Sequence, residues 1–212
     1  HISFDELLEM TATGCPKPAM RSVELARSYR VRLHVRSAFS WVPGTWVSEE
    51  ASMENAIISA VTHDTSEAKM TVSGVPDKPG VAARLFRTLA DMIVQNVSAD
   101  GATDISFTLP HEQVGIAEPT VAALVSEIGA TGSVTDSNIG RVSLIGAGMQ
   151  TNPGVAATMF ETLSNAGINI EMISTSAIRI SCVVREDQTE QAVMVLHAAF
   201  ELHKPAEDRA EF

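Results

Sequence analysis

Two stretches of this chain are versions of one another. KMTVSGVPDKPGVAARLFRTLAD (69–91) aligns with RVSLIGAGMQTNPGVAATMFETLSN (141–165) once two extra residues are allowed in the turn. Within them Pro79-Gly80-Val81-Ala82-Ala83 recurs as Pro153-Gly154-Val155-Ala156-Ala157, residue for residue. Self-similarity of this kind means two copies of one supersecondary unit. The fold question thereby reduces to the order of elements inside a unit.

Within each unit the hydrophobic period switches between two and 3.6. Alternation at Met70 and Val72, and at Val142 and Leu144, predicts an opening strand. The Pro-Gly pair then marks a loop and starts a helix, with Val81, Leu85, Phe86 and Leu89 on one face, matched by Val155, Met159, Phe160 and Leu163. Short apolar pieces at 92–98 and 168–176 predict a second strand. Those at 103–109 and 177–185 predict a third, with Ile105 and Phe107, or Ile178, Ile180 and Cys182, turned inward. A second helix is expected over 119–128 (Val121, Leu124, Val125, Ile128) and over 190–200 (Ala192, Val195, Leu196, Ala199). A closing strand around 132–135 completes βαββαβ, the split βαβ or ferredoxin-like arrangement of an α+β fold. One irregularity stands out: unit two has AGINIE between helix and strand, whereas unit one passes directly from Asp91 to Met92. A true loss there would remove the start of an internal strand, so the expectation is an interruption of the sequence at that point.

The first fifty residues lie outside the repeat. SFDELLEM reads as a helix with Ser3 and Glu6 forming a capping box, RSVELARSYR as a second helix and VRLHVRSAFS as a strand. WVPGTWVSEEASMEN reads as a linker. So short a piece does not make an independent core, and with His1 where Met would stand it reads as the tail of a larger α/β domain. Hydrophobic content of 45% rules out a disordered chain, and 26 acidic against 15 basic residues, a net charge of -11, leave no basic field for nucleic acid. Two distant cysteines form no disulfide framework. No apolar run reaches membrane-span length, and the acidic start is no signal peptide, so a cytoplasmic location is expected. The six histidines lack metal-ligand spacing. Met149, Met159, Met172 and Met194 read as gap-filling core, and the acidic tail AEDRAEF as solvated.

SFDELLEM, RSVELA, HVRSAFSWVPGT, HDTSEAKMTVSGVPDKPGVAARLFR, QNVSADGATDISFT and above all IGRVSLIGAGMQTNPGVAATMFETLSNAGINIEMISTSAIRIS resemble the C-terminal portion of bacterial aspartate kinases of the lysine-plus-threonine-inhibited type. The resemblance implies tandem ACT domains preceded by the C-terminal tail of an amino-acid kinase domain. Its divisions would be 1–50 (kinase tail and linker), 51–62 (a strand completing the second ACT domain), 63–138 (first ACT domain) and 139–212 (second ACT domain and tail). It further implies a regulatory region through which lysine or threonine inhibits the phosphorylation of aspartate, with ATP and Mg as needs of the full enzyme and no cofactor in this segment. No K-x-G-G-[TS], Walker or Rossmann glycine pattern occurs in the 212 residues, so catalysis is not expected of them alone. Met53 falls where this family often starts a separate regulatory subunit. The alternatives are therefore a free-standing ACT sensor, or a subunit acting on a separate kinase chain; a purely structural assembly module is a third. Departures from the family pattern are Gly14-Cys15-Pro16-Lys17-Pro18, whose prolines exclude helix and strand, Ala177 where a Glu is usual, and the junction at Asp91.

In VPDKPGVA the free N–H groups of a helix start, at Gly80, Val81 and Ala82, would hold a carboxylate, and Asp77 would accept the ammonium group of the same amino acid. The bland alternative is a helix start that Asp77 caps. In unit two Gln150 and Asn152 stand in the matching loop, which predicts a weaker site. By resemblance Gln95, Ser98, Asn169 and Ile170, on the second strands, and Ser176 line the effector across an interface between two ACT domains. Partners would then be L-threonine and L-lysine, and a second copy or a catalytic subunit through ACT pairing.

Overall fold

A computed structural model describes residues 1–49, 58–89, 95–100, 104–152, 154–205 and 208–209. The Asp91–Met92 junction, Met53 and Ile57, where the strand before unit one was expected to start, lie outside the described residues.

The chain opens with β1 (Ile2–Ser3), α1 (Phe4–Ala12), α2 (Met20–Ser28), β2 (Leu33–Val35) and β3 (Thr45–Ser48). Ser3 accepts from the Glu6 backbone while the Glu6 carboxylate accepts from the Ser3 N–H at 2.8 Å, the reciprocal box that the sequence predicts. The linker expected from Trp41 onward begins later. Thr45–Ser48 is a strand, parallel to β1 and antiparallel to β2, because Val47 closes a small core with Phe4, Leu7, Met10 and Val23. Pro43-Gly44 is therefore the turn into β3. Gly44 adopts φ +77°, and a Cβ there would meet the Val35 carbonyl at 2.4 Å.

Unit one comprises β5 (Glu67–Ser73), α3 (Val81–Thr88), β6 (Gln95–Asp100), β7 (Asp104–Pro110), α4 (His111–Ile128) and β8 (Gly132–Asp136), preceded by β4 (Ala60–Asp64). Its sheet has the order β6-β7-β5-β8. Unit two comprises β9 (Ile139–Ile145), α5 (Gly154–Asn165), β10 (Met172–Thr175), β11 (Arg179–Arg185) and α6 (Thr189–Ala199). Its fourth strand is β4, in the order β10-β11-β9-β4, so the strand that precedes unit one completes the sheet of unit two and runs on to Asp64 rather than stopping at 62. In unit one the second helix starts at His111, not at Pro119. Pro119 forfeits one backbone bond without ending the helix, because Ala117 and Val121 on either side of it are fully buried.

Each sheet carries its helices on one face. Met70, Val72, Phe107 and Leu109 pack with Leu85, Leu89, Val121 and Leu124; Val142, Leu144, Ile180 and Cys182 pack with Val155, Met159, Leu163 and Leu196. Met194 corrects the sequence reading: it is 64% exposed, since Ala192 and Leu196 define the buried stripe of α6 and a residue midway between them points away. The helix-free faces of the two sheets meet. Ser106, Thr108, Ser143 and Ser181, all buried, lie on them, with Thr71 bonded to Ser106 at 2.9 Å and Ser143 to Ser181 at 2.7 Å. Between the sheets run ion pairs, Arg141 to Glu67 at 3.0 Å, Arg185 to Asp136 at 2.6 Å, and Lys69 to Glu171.

Candidate effector site

The loop of unit one leaves β5 through Gly74, whose φ of +65° and contact with Thr131 leave no room for a side chain. Asp104 fixes this turn by accepting from the Gly74 N–H at 2.9 Å. Sequence reasoning passed over Asp104; a lone acid opening an apolar strand was its only signal. Pro76, Asp77, Lys78 and Pro79 follow, and Gly80 is the N-cap of α3 with φ +94°. A Cβ at Gly80 would meet nothing within 4 Å, so the approach to the helix end is open. No side chain caps α3, which corrects the alternative in which Asp77 is the cap. Asp77, Gly80 and Ala82 are exposed, whereas Val81 is half-buried against the core. The Val81 N–H donates to the Lys78 carbonyl at 3.3 Å, and no side chain caps its neighbours, so the loop offers N–H groups at the positive end of a helix dipole beside a carboxylate, which is the complement of an amino-acid zwitterion.

The matching loop of unit two differs in backbone as well as charge. Residues Ala147–Thr151 form a 3-10 turn, and the Asn152 amide is occupied at home, donating to the Gly148 carbonyl at 2.8 Å. Asn169 and Ile170 do not lie on the second strand as expected. They precede β10, where with Phe160, Ser164, Gly167 and Ile168 they line an open cavity of about 410 Å³; the chain turns at Gly167 (φ +73°) and pairs only from Glu171 onward. Ser176 lies in the β10–β11 turn, its N–H donating to the Arg179 carbonyl at 2.8 Å. Gln95 and Ser98 lie on β6 opposite Thr108 and Ser106.

Strand directions decide which of these residues one unit can bring together. β5 and β6 both pair antiparallel with β7, so they run in parallel. Gln95, opposite the Thr108 that also pairs with Lys69, is therefore at the end of the sheet away from the Asp77 loop. In unit two Ser176 is on the loop side, where the Gly146 N–H donates to the Ile178 carbonyl at 3.0 Å, while Asn169 and Ile170 are at the other end of β10. One unit alone cannot put the loop residues and Gln95, or Ser176 and Asn169, on the same small ligand. Between the units, β6 and β10 lie against each other.

Burial shapes the charges nearby. Desolvation pushes the Glu67 carboxyl above the ordinary range against the pull of Arg141. Asp136 is held below it by the Asn138 N–H and by Arg185. Burial pushes the Cys182 thiol up to about 12. Among the described residues no cluster of His, Cys, Asp or Glu could hold a metal ion, and no helix is long and apolar enough to cross a membrane.

A family model described as an ACT domain matches residues 142–200. The aspartokinase of Mycolicibacterium smegmatis is 50% identical over 212 residues, covering 95% of this chain and 50% of that protein; the chain spans about half the length of the curated relatives it matches. Among solved structures, one of aspartokinase alpha and beta subunits is 39% identical with a TM-score of 0.66, covering 68% of this chain and 99% of the other. Escherichia coli aspartokinase III in complex with lysine and aspartate is 21% identical with a TM-score of 0.71, covering 95% of this chain and 46% of the other, a likeness of fold alone. A likeness that reaches 39% identity over nearly all of one aspartokinase chain, and 50% over half of another, goes beyond shared architecture: this chain belongs to the aspartokinase family and carries its ACT-domain regulatory region.

Proposed function

We propose that this region binds lysine, threonine or both, and thereby inhibits an aspartate kinase. The observation that carries the reading is the loop from Pro76 to Gly80: an open helix start that no side chain caps, next to a carboxylate that has no ion pair among the described residues, in an ACT domain of an aspartokinase. The N–H groups of Gly80 and Ala82, with that of Val81 once it leaves the Lys78 carbonyl, would hold the carboxylate of the effector, and Asp77 its ammonium group. Because one unit separates its loop from Gln95, and the other separates Ser176 from Asn169 and Ile170, the remaining contacts would come from a facing ACT domain. That favours pairing of ACT domains with a second copy or with a catalytic subunit. The lysine complex of the Escherichia coli enzyme makes lysine the first ligand to test.

On this reading the whole enzyme transfers the γ-phosphoryl group of ATP, with Mg, to the β-carboxylate of aspartate. ATP and Mg would be needs of that whole enzyme; the 212 residues contain no K-x-G-G-[TS] segment. A second reading, a regulatory subunit serving a separate kinase chain, is favoured by the nearly complete coverage of a chain from an alpha and beta subunit assembly. Calorimetric titration of the 212-residue chain with lysine, threonine and the two together tests the binding claim. Saturable heat supports it, and no heat from any of the three argues for a purely structural module.

A further inference from the structure

We propose that Arg141 is the pivot through which the first ACT domain governs the order of α1, and hence of the kinase-tail module to which α1 belongs. Arg141 is on β9 of the second ACT domain and is 1% exposed. Its guanidinium touches three modules at once. One nitrogen pairs with Glu67 of the first ACT domain at 3.0 Å. The other pairs with Asp64 of β4 at 3.3 Å and donates at 3.3 Å to the carbonyl of Ala12, the last residue of α1. A helix C-terminus has unsatisfied carbonyls and the negative end of the dipole, and is stabilised by a cation. The last turn of α1 contains no basic residue of its own, so β9 supplies the cation from another module. A flat guanidinium offers donors in a fixed fork. Its direction toward Ala12 is therefore set by what Glu67 and Asp64 hold.

The rest of the α1 contact makes this junction sensitive. Glu9 pairs with Arg179 of β11 at 2.8 Å, Thr13 bonds Thr62 of β4 at 2.7 Å, and Glu6 accepts from the Ala147 N–H at 3.2 Å and from the Ser59 hydroxyl. The first ACT domain reaches this set through Glu67, on a seam where the two sheets meet through hydroxyls and ion pairs. Both partners of that pair are buried, so separating them is costly and a displacement of one is transmitted to the other. A displacement of β5 relative to β9 moves Glu67, turns the guanidinium of Arg141 and withdraws the donor from Ala12. The inference rests on the regulatory reading for its purpose, but its physical content needs no effector.

Amide hydrogen exchange on the intact chain without ligand tests it. Among the described residues no hydrogen bond or ion pair joins Glu67 to α1, yet Glu67→Gln should lower protection of the last turn of α1 by about tenfold, the scale of one charge-assisted bond, while α6 is unchanged. Arg141→Met should do the same, and the double variant should lose no more than either single one, as expected of residues acting through one another. If Arg141→Met does not fold, Arg141→Lys takes its place, since a point charge lacks the fork. Unchanged α1 protection in Glu67→Gln, or additive losses in the double variant, overturns the proposal and leaves Arg141 as a local helix anchor. Adding lysine and threonine separates the two levels. A null titration with the ligand-free coupling intact defeats the effector assignment but not the pivot.

Discussion

Asp77 and Glu67 are acidic residues ten positions apart in the same domain, and their surroundings give them opposite roles. Asp77 is exposed on a loop and caps nothing. Its removal should leave stability within about 0.5 kcal/mol, as for other surface changes, while raising the dissociation constant of the effector by about ten- to a hundredfold, the worth of a charge-assisted bond. Enlarging Ala82 should block the same site sterically; calorimetry beside thermal melts reads both. Cys182 makes a contrasting test of burial. With its thiol pushed up to about 12, it should resist alkylation at pH 8 in the folded chain and react on unfolding, as peptide mass mapping would show. Reaction at the native rate of a free thiol would contradict the packing around β11.

At the scale of elements, the chain was legible wherever a pattern repeats. The gap-free Pro-Gly-Val-Ala-Ala identity fixed both helix starts, and period-two alternation placed β5, β7, β9 and β11 to within a few residues. What escaped was decided by neighbours distant in sequence. Thr45–Ser48 has too little alternation to read as a strand, and becomes one only because Val47 finds Phe4 and Leu7. Asn169 falls in the apolar piece 168–176 expected to be a strand, and there the cause is local: Gly167 turns the chain and delays pairing until Glu171. Arg141 and Glu67 alternate with apolar residues, a pattern that gives no sign of their burial, because one sequence does not show that a second sheet covers that face. The β8–β9 turn carries a prediction of its own. Asp136 is held low by the Asn138 N–H and then by Arg185, so its contribution is present above the ordinary carboxylate value of 3.8 and lost as pH falls through its lower folded value. The stability difference between the parent chain and Asp136→Asn, from urea titrations, should therefore be constant near neutrality and shrink only in strong acid. A difference that grows as pH falls would reverse the sign and refute the assignment.

For the molecule as a whole, the two ACT domains have separate apolar cores joined by a polar seam, with α1 anchored on the sheet of the second. Loss of Glu6, which holds the Ser3 cap and the Ala147 N–H together, should cost about 2–3 kcal/mol through unsatisfied buried donors and loosen the tail module from the second ACT domain; urea unfolding of Glu6→Ala measures it. The seam suits a regulatory region, because its buried ion pairs tie the groups of one ACT domain to those of the other, and a ligand shifts such an arrangement only by its differential affinity, commonly about 1–3 kcal/mol. Side-by-side calorimetry of the parent chain, Asp77→Ala and Asn152→Ala against lysine and threonine tests the account most directly. It predicts saturable binding to the parent chain, affinity reduced about ten- to a hundredfold in Asp77→Ala, and little change in Asn152→Ala, whose amide is already engaged with Gly148. Equal losses in both variants, or unaltered binding in Asp77→Ala, would contradict it and move the effector away from the first Pro-Gly loop.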